Sequence, residues 1–218
     1  LVLRASYSTT MARPGISDIV PTTTVTINTT NGLGTVTQNN TNLGPQYSKN
    51  LDFMVEYYLN PVGVISVGVF RKDVDGFILT QRDVIDTGSD NGFDGQFAGY
   101  DLITKRNLNS AKIQGFEIAY DQQLRWLPKP FNTLSLFGNF TKITTKGSYA
   151  EGATDLANFV PETANAGFSY SYWRLQFRTA YNYTSSFLLT YNANPATAAR
   201  LTPVETVGMN MQYKVNSY

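Results

Sequence analysis

The sequence predicts an all-β protein, an antiparallel up-and-down transmembrane β-barrel, on three observations. Apolar and polar residues alternate with period two through eight segments, each of roughly 10–15 residues. The links between these segments alternate strictly between long and short. The polar face of several segments carries charges that a dry core would accept only if paired.

The clearest segment pair is LDFMVEYYLNPVGVISVGVFRKDVDGF, Leu51–Phe77. Leu51, Phe53, Val55 and Tyr57 share one face, opposite Asp52, Met54 and Glu56. After the Asn60-Pro61-Val62-Gly63 turn, Ile65, Val67 and Val69 oppose Ser66, Gly68 and Phe70, which reads as an antiparallel hairpin. Before it, Leu1–Thr10 alternates Leu1, Leu3, Ala5 and Tyr7 against Val2, Arg4, Ser6 and Ser8. Residues 11–47, rich in Thr, Asn and Gly, read as a loop of unusual length. Residues 79–110 read as a second long polar link.

The alternation resumes over Ala111–Gln123, with Phe116, Ile118 and Tyr120 on one face, and again over Thr133–Thr144, with Leu134, Leu136 and Phe140. Thr163–Tyr172 and Arg174–Thr184 follow, almost contiguous around Trp173, and Val204–Val215 completes the set. Long links therefore fall near 11–47, 79–110, 145–162 and 185–203, and short ones near 60–63, 121–131 and 173. A meander with this spacing collects its long loops at one end and its tight turns at the other, as outer-membrane barrels do. Tyr57, Tyr172, Tyr183 and Tyr213 lie towards strand ends, where aromatic girdles meet the headgroups. On this reading Pro61 sits at the periplasmic rim and Asn91 outside the cell.

Composition removes several function classes. The 218 residues include neither Cys nor His, so disulfides, thiol nucleophiles, the usual general base and the commonest metal ligand are all missing. Without His there is no Ser-His-Asp set, and no Gly-rich loop precedes a helix, so neither an enzyme nor a cofactor is expected. A net charge of +1 gives no electrostatic footprint for nucleic acid. Charged residues make up 15%, against about 25% in an average soluble domain, which favours a lipid-facing exterior. No apolar run reaches about 18 residues, so the membrane is not crossed by a helix, a statement that leaves barrels open. A soluble β-sandwich, such as a carbohydrate-binding module, explains the alternation too. It predicts short links at both ends and a more charged exterior.

Four segments, Leu1–Pro21, Tyr47–Ile78, Ala111–Gly147 and Val160–Ser185, resemble in order the barrel of a TonB-dependent outer-membrane receptor. The resemblance implies residence in the outer membrane of a Gram-negative bacterium and contact with its lipid bilayer and lipopolysaccharide. It implies a barrel of about 22 strands around an N-terminal plug. It also implies active uptake of a scarce ligand (siderophore, cobalamin or glycan), driven by the TonB–ExbB–ExbD complex through that plug and its TonB box. Residues 1–218 are then expected to be one part of the barrel domain, a fragment of about eight strands, with the plug and the final strands lying outside it. A passive porin is the alternative barrel.

Candidate sites follow from residue type and position. The loop aromatics Phe93, Phe97, Tyr100, Tyr149 and Phe159 are suited to stacking on a sugar or an iron chelate, or to packing within the loops. Arg174, Arg178, Arg71 and Glu117 are expected to face the lumen, lining a route or forming salt bridges along the wall. Asp83, Asp86, Asp90 and Asp94 crowd one link without the spacing of a calcium loop, so a solvated loop rather than a metal site is expected. Arg13-Pro14 is expected to end the first strand, because Pro14 removes a ladder donor.

Overall fold

The computed structural model describes residues 1–27, 34–149, 152–192 and 198–215. Eight long strands form an antiparallel wall: β1 (Val2–Ala12), β4 (Gln46–Leu59), β5 (Gly63–Asp75), β8 (Ser110–Gln123), β9 (Ser135–Tyr149), β11 (Glu162–Tyr172), β12 (Leu175–Thr184) and β15 (Val204–Tyr213). Each pairs with the next in that order, as the alternation predicts. A short strand, β10 (Gly152–Thr154), folds back on the end of β9. The tight connections are residues 60–62, residues 124–134 with a 3-10 turn at Phe131–Thr133, and Trp173-Arg174.

Strand register assigns every side chain to a face. Leu3, Val55, Val67, Ile118, Phe140 and Ala164 lie on one continuous row across six strands, continued by Tyr183 and Glu205. This apolar face is the exposed one: Leu51, Phe53, Val67, Val69, Val207 and Met209 all lie open, Met209 at 74%. An exposed apolar surface running across eight strands is incompatible with water and is what a bilayer covers. The opposite face carries Asp52, Glu56, Glu117, Asn139, Asn165 and Arg178 among small residues.

The tight-turn end is ringed with amphipathic rings. Tyr57, Tyr172 and Tyr213 are exposed there, and both tryptophans, Trp126 and Trp173, lie in the turns themselves. Trp173 meets Tyr213 edge-on at 6.2 Å. Indole and phenol groups prefer the boundary between hydrocarbon and water, so this end marks one membrane surface.

Three of the long links contribute strands to a second sheet where the sequence reads as loop. β2 (Thr23–Ile27), β3 (Gly34–Gln38), β6 (Ile78–Val84), β7 (Asp101–Asn107), β13 (Phe187–Asn192) and β14 (Ala199–Leu201) form a second sheet in the order β14-β13-β6-β7-β3-β2. Two of its pairings, β3 with β7 and β13 with β6, are parallel and join distant segments, so no local turn signal announces them. A four-residue helix, α1 (Ile16–Ile19), follows Arg13-Pro14, and β1 stops just before them at Ala12.

A small core seats this second sheet on the wall. Val74, Leu79, Leu108, Ala111, Ile113 and Leu156 are buried together, flanked by Phe70, Phe77, Ile143 and Phe159. Register places Phe70, Val74, Ala111, Ile113 and Ile143 on the inward face. The inward face is therefore polar along most of the wall but apolar at the long-link end, where links fold over it. Leu156, 1% exposed, is held there by its amide, which donates to Thr145 Oγ1 at 3.0 Å.

Candidate functional site

At the long-link end, β5 ends just before Gly76, whose φ of +69° favours glycine. A Cβ at Gly76 would stand 2.9 Å from the Pro45 carbonyl oxygen, so the chain can turn there only because the side chain is missing. Asn107 closes the same junction: its Nδ2 donates to the Gly44 and Gly76 carbonyls at 3.0 and 2.7 Å, and its Oδ1 accepts from the Gly44 amide at 2.8 Å. Lys105 ties α1 to the second sheet through Asp18, at 2.7 Å.

These ties leave a recess of about 540 Å³ between the second sheet and residues 157–159. Phe77, Leu79, Phe159 and Leu189 supply its apolar lining, and Lys105 and Asn158 its polar groups. The Phe77 and Phe159 rings meet at 6.3 Å with a 47° tilt. Apolar walls with a few convergent polar groups are the usual composition of a small-molecule site. Phe77 and Lys105 carry no sequence signal for such a role, because their meeting depends on the pairing of β6 with β7.

The five aromatic candidates divide between places. Phe93, Phe97 and Tyr100 are brought together, with ring centroids 5.8 and 5.7 Å apart in succession. Asn91 staples that loop: its Nδ2 donates to the carbonyls of Asp86 and Gln96, and its Oδ1 accepts from the amides of Phe93 and Gly95. The Tyr100 ring lies over Gly34 of β3, where an added Cβ would come within 2.3 Å of it. Phe159 is in the separate recess with Phe77. Tyr149 ends β9 opposite Gly152, and its side chain lies outside the described residues.

The charged candidates divide as well. Glu117 is inward, in register with Gly68 and Thr141. Arg178 is inward opposite Ser169 and Asn210, its guanidinium 4.5 Å above the Phe137 ring. Arg174 lies in the tight turn, donating to the Val215 carbonyl at 2.9 Å and covering the Trp173 ring. Arg71 departs from expectation. It shares the face of Ile65, Val67 and Val69, so it points outward, where Asp73 two residues on holds it at 2.9 Å. Period-two parity, not charge, decides its side. Asp83 is engaged by Gln81 and lies 3.8 Å from Arg106. Among the described residues, no three acidic side chains converge as metal ligands would.

Across the inward wall, Arg4 pairs with Glu56, which also accepts from the Tyr58 hydroxyl at 3.1 Å, and Ser6 donates to Asp52 at 3.2 Å. Asn165 and Asn182 bond across β11 and β12. Such polar ladders suit a wet lumen.

Comparison with known proteins agrees with this architecture. None of the curated protein sequences matches the chain. Among solved structures, the ferric enterobactin receptor PfeA of Pseudomonas aeruginosa (a Q482A mutant with enterobactin) aligns at a TM-score of 0.66 and 16% identity, over 98% of this chain and 31% of that one. The siderophore receptor PirA from Acinetobacter baumannii aligns at 0.61 and 17%, over 98% and 32%. The copper transporter OprC aligns at 0.66 and 16%, over 98% and 29%. The chain thus spans about 30% of the length of these receptors. A family model described as TonB dependent receptor-like, beta-barrel, matches residues 1–218, and the chain belongs to that outer-membrane barrel family.

Proposed function

We propose that residues 1–218 form one part of the barrel domain of an outer-membrane active transporter, supplying wall strands and ligand-facing extracellular links. The observation that carries this reading is the second sheet, seated on the inward wall by its own core and leaving the Phe77–Phe159 recess beside it. A passive pore needs only a wall and a constriction. A receptor needs a shaped, preorganised mouth, and the Asn107 and Asn91 hydrogen-bond sets are of that kind.

The substrate class we propose is a metal chelate. The aligned receptors named for ferric enterobactin, siderophores and copper support it, as does a recess that joins two aromatic rings to a lysine. Energy would come from the TonB–ExbB–ExbD complex acting through a plug. The test is uptake of radiolabelled iron chelates by cells carrying the intact protein as their only receptor. Uptake that stops on adding a protonophore, and that falls when Phe159→Ala is introduced, supports active chelate transport. Uptake that continues without the proton-motive force points to a porin.

A further inference from the structure

The wall has a break at the long-link end. β11 reaches up only to Glu162, opposite Lys142 of β9, and the Ile143 amide makes the last rung by donating to the Pro161 carbonyl at 2.7 Å. Pairing on that side of β9 resumes only at Gly147, opposite Thr154 of β10. Thr144, Thr145 and Lys146 thus have no strand on that side among the described residues, while their other side pairs with β8. A slot of about 280 Å³ occupies the break, and Lys142, Ile143, Thr144 and Thr145 all line it. Successive residues of a strand point to opposite faces, so a cavity that touches all four lies in the plane of the wall, between its two faces.

Its two ends differ. On the inner side it runs against Thr145, Leu156 and Leu188, all buried, and reaches Phe159, which also lines the recess with Phe77. On the outer side charges surround it: Lys142 pairs with Glu162 at 2.9 Å, and Asp155 and Arg200 lie exposed. Phe159 therefore joins the slot to the recess, while a charged lip separates it from the hydrocarbon. An apolar chain entering from the membrane would have to pass those charges, whereas one entering from the recess passes only an aromatic ring.

We propose that the slot receives an alkyl tail whose head group sits in the recess, so that the transported chelate is an amphiphile carrying a short acyl chain. The inference rests on the chelate reading above and adds the tail to it. Lys105 and Asn158 offer the head its polar partners in the recess, and Leu156, Phe187 and Leu188 offer the tail an apolar sleeve. Each methylene moved from water into such a sleeve strengthens binding about four-fold. The gain ends once the chain outgrows the slot, because further carbons meet the charged lip.

The test uses the intact protein, purified in detergent, and a series of ferric tris-catecholate chelates that differ only in an acetyl, butanoyl, hexanoyl or octanoyl amide. Affinity, read by equilibrium dialysis of the radiolabelled iron, should rise about four-fold per methylene at the start of the series and then level off. Leu188→Trp, which fills the slot, should abolish that rise, so that all members bind alike. Should that variant fail to fold, the parent protein supplies a second reading. An octanoyl tail ending in a diazirine should, on irradiation, label Leu156, Phe187 or Leu188 rather than Phe53 or Val69 of the outward wall. Affinity independent of tail length, a rise that survives Leu188→Trp, or labelling confined to the outward wall would each overturn the tail site and leave the chelate reading standing. Binding by no member of the series would overturn the chelate reading itself, and the tail site with it.

Discussion

Replacing Val67 with arginine tests which medium covers the apolar face. Val67 lies outward between Val55 and Ile118, four residues from Gly63 at the turn end and four from Arg71, where the outward charges begin. At ~3.4 Å per residue and a strand tilt of ~40°, that places it ~10 Å from each boundary, near the bilayer midplane. An outward arginine at that depth costs ~2–4 kcal/mol, a factor of ~30 to ~1000 in the folding equilibrium. Val67→Phe separates lipid from a packed core. Fluid lipid yields to the larger ring, so the change should be close to neutral, whereas a close-packed protein interior would charge ~1–3 kcal/mol for the same overpacking. Ser66→Arg, one residue away on the inward face, should cost well under 1 kcal/mol, a rough figure for a side chain that reaches water. The assay is urea-titrated folding of the intact protein into phosphocholine vesicles, followed by tryptophan fluorescence. Val67→Arg folding as well as the parent, or Val67→Phe proving as damaging as Val67→Arg, would refute a lipid-facing role for this row.

Three further outcomes follow from the same geometry. A Cβ at Gly115 would stand 2.2 Å from the Lys142 carbonyl oxygen and 2.8 Å from the Phe70 ring, while one at Gly208 meets nothing nearer than 4.0 Å. Gly115→Ala should therefore destabilise the barrel by several kcal/mol, on the order of a severe steric substitution, and Gly208→Ala hardly at all; equal unfolding midpoints would contradict this. Asn107→Ala removes three hydrogen bonds at the junction of wall and second sheet and should raise amide exchange in 44–46 and 76–78 by about 1–3 kcal/mol of lost protection, leaving the β11–β12 ladder unchanged. Residues 1–218 contain no cysteine, so single thiols introduced as Asp90→Cys and Val62→Cys add one label site each to this part of the barrel and report its orientation. An impermeant maleimide should label the first and not the second on intact cells, and the reverse pattern would invert the barrel. Asp90 serves better than Asn91, whose side chain holds the loop together.

Much of the wall was legible in the chain itself. Period-two alternation is a local property, so Leu51–Phe53–Val55 and Ile65–Val67–Val69 reveal a strand and its two faces without knowledge of any partner. The alternation of long and short links likewise reveals a meander with its tight turns gathered at one end. Arg71 shows how far parity reaches: counted from Val69 it belongs outside, and only grouping it by charge with the lumenal arginines put it within. The second sheet was not legible, since Thr23–Ile27 and Asp101–Asn107 are short, Thr-bearing or charged runs whose strand character comes from pairing across long stretches of chain. The candidate recess shared that limit. Phe159 stood out as a loop aromatic, but its neighbours Phe77 and Lys105 became site residues only once β6 paired with β7. The chain on its own determined the wall strands, their faces and the medium each face requires, because side-chain direction and hydrophobicity are set residue by residue. Tertiary structure alone decided how the long links fold and which side chains converge at the mouth, because non-local pairing and burial depend on segments that only the folded chain brings together.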